Sequence, residues 1–279
     1  MSPYKLSRPV AAALLATITA AVCAQDAAPP HDLLLTRPGW ELGGQVSNYK
    51  YEEPDFMKLD GSRVGVVGAY NWTASNLVYA RIDGRVSYGK LDYFSAPTGT
   101  VPDIPDWTAE VRLVAGRDYR VGESVALSPY IGLGYRYLYN DLRGYTTVGN
   151  ATYAGYRRYS EYWYAPIGVT MRMRAGAHWV FAPTIEYDAF IGGKQKSQLT
   201  DTGIPTYQDI TNRQDDGRGY RVYLMFEGQR WAFGPWFHYW NIKDSDVVFV
   251  GFNSLGQPVG GMEPANTTKE YGLELRYRF

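Results

Sequence analysis

The chain has 279 residues, and its 28 Lys and Arg residues balance 28 Asp and Glu residues, so the formal net charge at pH 7 is zero. A balanced charge argues against nucleic acid as a partner, because phosphate binding needs a clustered excess of Lys and Arg. The 25 Tyr, 8 Trp and 10 Phe residues argue against disorder. The single cysteine excludes a disulfide framework and a cysteine-based zinc site.

The first 24 residues have the three regions of a secretory signal peptide. Lys5 and Arg8 precede an apolar run over residues 9–22, and small residues follow up to Ala24. We predict cleavage after Ala24 and a periplasmic leader over residues 25–38. A membrane anchor is disfavoured, because about 14 apolar residues are too few for the roughly 20 that a helical span needs. A lipoprotein with a lipidated cysteine is the other alternative, although the preceding valine is bulky for that processing.

From residue 39 to residue 279 the chain alternates between apolar and other residues with a period of two, which is typical of strands with one apolar face. We count about ten such strands. Their apolar faces begin at Trp40, Val64, Val78, Ala109, Leu127, Trp163, Trp179, Tyr220, Trp231 and Tyr271.

The connections alternate between short and long. Short turns are predicted at residues 73–76, 121–124, 174–178 and 228–230, and long polar segments at residues 52–62, 94–106, 141–161, 198–218 and 244–266. This alternation predicts an all-β fold, a closed antiparallel up-and-down transmembrane barrel of about ten strands in a bacterial outer membrane. An even number of strands places both termini in the periplasm and the long loops outside the cell.

A soluble barrel or sandwich would show the same period with its apolar face inward. Aromatic residues decide between them, because they cluster near both ends of the predicted strands, as expected at two lipid interfaces. The opposite face then lines the lumen and carries a charge network: Glu41, Arg63, Arg81, Asp83, Arg85, Glu110, Arg112, Arg136, Arg172, Glu186, Asp188, Arg221, Glu270, Glu274, Arg276 and Arg278.

The last strand reads EYGLELRYRF and alternates as far as its final aromatic residue. It resembles the closing strand of bacterial outer-membrane β-barrel proteins, whose terminal aromatic is recognised by the barrel-assembly machinery. The resemblance implies that Tyr271, Tyr277 and Phe279 form an assembly signal here and that this machinery is a partner.

Prolines at positions 129, 166, 183 and 235 fall inside predicted strands and cannot donate ladder hydrogen bonds. We predict β-bulges at these positions.

A ten-stranded barrel is too narrow for a general-diffusion pore, since open channels have about 16 strands or more. The paired charges of the lumen are expected to form a plug, because unpaired buried charges are costly. The main prediction is therefore a structural or surface-interaction role, either adhesion or ligand binding. A small selective, porin-like channel along the same charges is the alternative.

Ten strands with tall outer loops resemble the omptin proteases, which implies a hydrolase as a third hypothesis. Omptins use acidic and histidine residues at the outer lip. Here the second outer loop offers Asp103 and Asp106 in a different spacing, and the fourth contains no histidine. His238 lies between Trp236 and Trp240 without catalytic partners, so no enzymatic activity is expected.

The third outer loop is rich in tyrosine and arginine, the residue types enriched at recognition sites. Tyr145, Tyr153, Tyr156, Arg157, Arg158 and Tyr159 are the candidate binding residues. An alternative is that they simply extend the barrel, with tyrosines paired across strands. The expected partners are outer-membrane lipid, lipopolysaccharide and an extracellular ligand, with no cofactor and no metal ion. The apolar segment 247–252 is predicted to fold over the lumen as a lid.

Overall fold

The computed structural model describes residues 31–148 and 153–279, which leaves the predicted signal peptide outside the described residues. Fourteen strands and one short 3₁₀ helix over Leu199–Thr202 occur in these ranges. The strands are β1 (Gly39–Glu53), β2 (Met57–Thr73), β3 (Val78–Ser95), β4 (Gly99–Arg117), β5 (Tyr119–Arg120), β6 (Val125–Asp141), β7 (Arg157–Arg174), β8 (Val180–Gln198), β9 (Ile210–Gln214), β10 (Gly217–Glu227), β11 (Trp231–Ile242), β12 (Val248–Phe252), β13 (Pro258–Gly261) and β14 (Asn266–Arg278). Within the described ranges, no helix is long and apolar enough to span a bilayer.

Ten strands close into one antiparallel barrel in the order β1, β2, β3, β4, β6, β7, β8, β10, β11 and β14. The closing ladder joins β14 to β1 and sets Leu42 opposite Tyr277 and Val46 opposite Leu273. The short strand β5 pairs with β6, β9 pairs with β8, and β12 and β13 form a separate hairpin. The predicted closed ten-stranded antiparallel barrel is therefore confirmed.

The barrel has two unlike ends. At the end that we call the turn end, short connections lie at residues 74–77, 121–124, 175–179 and 228–230. At the opposite end, called the loop end, strands are joined by residues 54–56, 96–98, 142–156, 199–216 and 243–265. Both chain termini of the barrel lie at the turn end.

The first two loop-end connections are much shorter than predicted. Residues 52–62 and 94–106 belong largely to strands, so that β1 with β2 and β3 with β4 are long hairpins with three-residue turns. Their outward side chains include Lys50 and Lys58, both partly exposed. Because this part of each strand has polar residues on its outer face, the apolar alternation that marks a strand within a bilayer is absent there.

A belt of apolar side chains surrounds the outside of the barrel. Val64, Ile131 and Leu273 are each about 60% exposed, as expected for side chains that face lipid. Aromatic pairs border the belt: Trp40 packs edge-on against Tyr70 with ring centroids 4.8 Å apart, and other aromatic pairs lie at the opposite border. This arrangement agrees with the predicted orientation of the two faces.

The predicted bulges at prolines are wrong. Within the described strands, register shifts occur at Leu91/Tyr93, Trp163/Tyr164 and Phe249/Gly251, and none coincides with a proline. The β7–β8 register is the same on both sides of Pro183. In an antiparallel strand the N–H and C=O of one residue point to the same neighbour. A proline therefore loses bonding to one neighbour only, and the register is kept.

Candidate functional site

Ion pairs cross the lumen near the turn end, where Glu41 on β1 is the central acceptor. Its carboxylate lies 3.1 Å from Arg81 and 3.2 Å from both Arg276 and Arg278. Arg278 continues to Glu227 at 3.1 Å. Alternate residues of neighbouring strands point inward, so β1, β3, β10 and β14 can contribute to one network. A polar cavity of about 110 Å³ lies among these side chains.

A second layer of charges fills the centre of the barrel around Arg221 on β10. This guanidinium donates two hydrogen bonds to the carboxylate of Glu110, at 2.6 and 2.8 Å, and one to Asp188 at 2.6 Å. The Tyr164 hydroxyl donates to Glu110 at 2.7 Å. All four side chains are almost fully buried. Bidentate, charge-assisted bonds of this kind are the strong members of a buried network.

Two further arginines extend the network across the barrel. Arg112 donates to Asp83 at 2.9 Å and to Glu186 at 2.7 Å. Arg85 lies 2.9 Å from Glu110 and 3.3 Å from Glu270. A cavity of about 10 Å³ lies among these side chains, which pack closely around it.

The remaining predicted lumen charges also lie inside the barrel. Arg63 pairs with Asp106, and Arg172 lies 3.1 Å from Glu227. Arg276 pairs with Glu274. Arg136 differs, because it is buried above the indole ring of Trp240 at 5.3 Å and has no ion pair within 4.0 Å among the described residues.

Nearer the loop end the interior becomes apolar. Twelve buried hydrophobic side chains form one cluster across the lumen: Tyr49, Tyr51, Met57, Leu59, Leu91, Val101, Ile104, Leu138, Tyr162, Tyr164, Trp240 and Ile242. The strands supply these side chains from the same inward-facing positions that carry charges further down. This cluster is an apolar core that packs within the barrel.

Beyond this cluster, at the loop end, lies a cavity of about 740 Å³, which we call the vestibule. The β12–β13 hairpin forms one wall, where Val250 points inward while Phe249 and Phe252 are exposed. Residues 199–209 support this hairpin, since the Gln208 amide donates to the Val250 carbonyl at 3.0 Å. The hairpin therefore lines the vestibule, and the role of segment 247–252 as a lid over the lumen stays a prediction.

The base of the vestibule holds a buried cluster of charges. Arg158 Nη2 donates to Glu53 at 2.7 Å and also contacts Glu263, while the Tyr51 hydroxyl lies 2.9 and 3.1 Å from these two carboxylates. Burial, together with repulsion from Glu53, raises the pKa of Glu263 to about 7 against the opposing effect of Arg158.

Only some of the residues at this site were candidates from the sequence. The vestibule is lined by Tyr145, Tyr153, Tyr156 and Arg158, which are four of the six candidate binding residues, and their binding role stays a prediction. The two glutamates were missed, because Glu53 ends the first barrel strand and Glu263 lies more than 200 residues later, and only the closed barrel brings them together. No local motif marks them.

The other two candidates of the third loop face elsewhere. Arg157 pairs with Asp201 at 2.8 Å, and the carboxylate's hydrogen bonds lower the pKa of Asp201. Tyr159 belongs to an outer aromatic ladder, where its ring lies 5.0 Å from that of Tyr139. These two residues extend the barrel, as the alternative interpretation expected.

The acidic and histidine residues that were compared with those of the omptins lie in different surroundings. Asp103 is exposed, while Asp106 is buried against Arg63. His238 lies inside the lumen, where it hydrogen-bonds the Tyr223 hydroxyl at 2.7 Å. Among the described residues, no cluster of three or more His, Cys, Asp or Glu side chains is arranged to hold a metal ion.

The predicted assembly residues lie at the closing seam. Tyr271 is 57% exposed on the outer face, and the rings of Tyr277 and Phe279 meet edge-on at 5.1 Å. The Phe279 amide donates to the Trp40 carbonyl at 3.0 Å. The signalling role of these residues stays a prediction.

Part of the predicted leader enters the turn end of the barrel. Residues 33–37, which we call the strap, pack Leu33 and Leu34 against Ala126 and Val180. Thr36 donates from its amide and its hydroxyl to Asp118, at 2.7 and 2.9 Å. This contact was not expected, because the segment shows no period of its own.

An apolar outer belt, a charged and filled interior and a closed ladder together define a transmembrane β-barrel. The family model for the outer membrane protein beta-barrel domain matches residues 10–212, and the chain belongs to this family. The protein is accordingly assigned to the bacterial outer membrane.

Solved structures show the same fold. The outer membrane protease OmpT from Escherichia coli is 11% identical, with a TM-score of 0.60, and the match covers 89% of this chain and 99% of that chain. The toluene transporter TodX of Pseudomonas putida is 10% identical, with a TM-score of 0.35 over 87% of this chain and 89% of that chain. Ail, the attachment invasion locus protein of Yersinia pestis, is 10% identical, with a TM-score of 0.31 over 87% of this chain and all of that chain. Curated protein sequences gave no match.

Proposed function

We propose that this protein is a non-conducting outer-membrane barrel that binds a ligand at its loop end. One observation supports this most strongly: the vestibule of about 740 Å³ lies directly above a lumen filled by an apolar cluster and ion pairs. Its volume is within the range of small-molecule sites, and most of its wall is apolar. A pocket closed at its base suits retention of a ligand better than passage.

The proposal includes an orientation. The long loops face outside the cell and both termini lie in the periplasm, as expected for an even number of strands. In this orientation the vestibule meets the external medium. Outward-facing lysines beyond the apolar belt, such as Lys50 and Lys194, are 44% and 56% exposed beside paired glutamates, and we propose that they contact lipopolysaccharide phosphates. We further propose recognition by the barrel-assembly machinery through Tyr271, Tyr277 and Phe279.

Ligand binding can be tested on the purified protein in detergent micelles. Saturation-transfer difference NMR with a panel of small aromatic compounds should detect binding that Tyr156→Ala weakens, because this side chain lines the vestibule. Tyr139→Ala is the matched control, since Tyr139 lies in the outer aromatic ladder. Equal loss in both variants, or no binding to the parent protein, would overturn the proposal.

A further inference from the structure

The vestibule has an uncompensated negative charge at its base. Apart from tyrosines, its ionisable lining side chains in the described residues are Glu53, Arg158 and Glu263. Two carboxylates and one guanidinium give a net charge of −1 when all are ionised. The glutamates are 3% and 5% exposed, so water screens this charge poorly.

The hydrogen bonds of the two carboxylates are also incomplete. Both carboxylates accept from the same nitrogen, Arg158 Nη2, and both lie within hydrogen-bond distance of the Tyr51 hydroxyl, which has a single hydrogen. One hydroxyl donates only one strong hydrogen bond, so one of the two carboxylates keeps only the guanidinium N–H and can accept from a further donor. A proton shared between the two carboxylates would supply this further donor in the free protein, and a positively charged group would supply it equally well.

The other groups around Glu263 do not change the net charge at the base of the vestibule. Its backbone amide donates to the Ser245 hydroxyl at 2.8 Å, while Tyr156 and Tyr162 are the neighbouring ionisable side chains on the other elements. Burial raises the pKa of Tyr156 above the ordinary tyrosine value, so it is neutral at physiological pH. The carboxylate pair and Arg158 therefore decide the charge.

The walls above this base suit an apolar body. Tyr93, Tyr145, Tyr153, Tyr156 and Tyr207 contribute aromatic rings. Phe56, Met57, Ile204 and Met262 add aliphatic and aromatic surface. Tyrosine faces attract organic cations, particularly where water is excluded.

We propose that the vestibule binds an organic cation, with one ammonium group on an aromatic or aliphatic body, and that the ammonium replaces the proton shared by Glu53 and Glu263. This rests on the proposed ligand-binding function and names its ligand class. On binding, an ammonium N–H donates to the carboxylate pair, and the displaced proton passes to solvent. The preference for a cation should therefore grow as the pH rises.

Isothermal titration calorimetry with 2-phenylethylamine and its neutral counterpart 2-phenylethanol tests this directly. At pH 8 the amine should bind at least about tenfold more tightly, which corresponds to about 1.4 kcal/mol. The difference should shrink at pH 5.5. Near pH 6.5, titrations in buffers of different ionisation enthalpy should show release of up to one proton per bound amine.

Glu263→Gln is the decisive variant, because it removes one negative charge while keeping the side-chain shape. It should abolish proton release and reduce the preference for the amine to about threefold or less, with binding of the alcohol unchanged. Glu161→Gln is the matched control, since that glutamate pairs with Lys194 at 3.6 Å and does not line the vestibule. Equal affinity of the parent protein for amine and alcohol would overturn the cation proposal but leave the ligand-binding function intact. Binding of neither compound would count against both.

Discussion

At the scale of single residues, buried arginines of this barrel have unequal surroundings. Arg221 donates three short hydrogen bonds to Glu110 and Asp188, whereas Arg136 lies over the Trp240 ring and has no ion pair within 4.0 Å among the described residues. Removing one partner of a buried ion pair leaves the other charge uncompensated, and this costs about 3–5 kcal/mol. A cation over an aromatic ring contributes less, about 1–2 kcal/mol.

We therefore expect substitutions of the two arginines to change the free energy of unfolding by different amounts. Arg221→Met should lower the free energy of unfolding by about 3–5 kcal/mol. Arg136→Met should stay within about 1 kcal/mol of the parent, because methionine can pack in its place. Urea denaturation of the refolded barrel in detergent measures both. Equal destabilisation by the two substitutions would mean that the central network is not specially stabilised by Arg221.

We expect titration of the Glu263 carboxyl to make the free energy of unfolding depend on pH. Its folded pKa of about 7 lies above the ordinary value of 4.5, so the folded state binds more protons than the unfolded state between these values. The free energy of unfolding contributed by this group therefore falls as the pH rises through this window, by at most about 1.4 kcal/mol per pH unit. Glu263→Gln should remove this slope. Parallel stability curves for parent and variant between pH 4.5 and 7 would contradict the assignment.

At the scale of strands, glycines on the inner face make room for tyrosine rings. A Cβ atom added at Gly134 would lie 2.2 Å from the ring of Tyr164 on the neighbouring strand. Tyr164 cannot move aside easily, because it is fully buried and its hydroxyl bonds to both Glu110 and Arg221. This packing joins β6 and β7 to the central network.

Gly134→Ala should therefore destabilise the barrel by about 1–3 kcal/mol, as overpacking of a core does. Gly44→Ala is the matched control in β1, because the nearest atom to its added Cβ would lie 3.7 Å away. Thermal denaturation of the two variants in the same detergent compares them. A larger loss from the Gly44 variant would show that strand geometry, rather than the tyrosine ring, decides the cost.

We expect the contacts of the strap, residues 33–37, to protect its amides from hydrogen exchange at the turn end. Asp118 accepts two hydrogen bonds from Thr36 and one from Ser128, at 2.6–2.9 Å. Asp118→Ala should release the strap and speed hydrogen exchange at the Thr36 amide, since about 1–3 kcal/mol of local protection is lost. Thr36→Val removes only the hydroxyl bond and should have a smaller effect. Unchanged exchange in Asp118→Ala would show that Leu33 and Leu34 alone hold the strap.

The sequence predicted the barrel well because a bilayer enforces strict alternation. The runs from Trp40, Val64 and Leu127 all fall within strands as expected. Beyond the apolar belt the sequence predicts loops where the structure has strands. The outward side chains there, such as Lys50 and Lys58, are polar, so the apolar alternation is lost. Within the site, Arg158 could be proposed from its tyrosine-rich surroundings. Its partner Glu263 could not, because a contact between residues 105 positions apart depends on barrel closure.

At the scale of the whole molecule, the barrel has a filled interior with a pocket at one end. Its turn end carries ion pairs and the strap, its middle carries the Arg221 network, and its loop-end half carries the apolar cluster. Each layer uses inward positions of the same strands, so one closed sheet supports all three. Ten strands leave little space beyond their own side chains, unlike the open lumen of barrels with about 16 or more strands. In the proposed function, the vestibule therefore binds the ligand and the lumen does not conduct.

Planar-bilayer recording on the purified, refolded protein tests this central claim most directly. Folding is verified beforehand by resistance of the barrel to denaturation in detergent, and insertion by co-flotation of the protein with the lipid vesicles that are fused to the bilayer. We predict a flat current trace across the applied voltages, with no discrete steps, and the same silence for Asp118→Ala, because the central layers remain in place after the strap is released. Reproducible unitary current steps from the parent protein would contradict the filled lumen and favour a narrow selective channel.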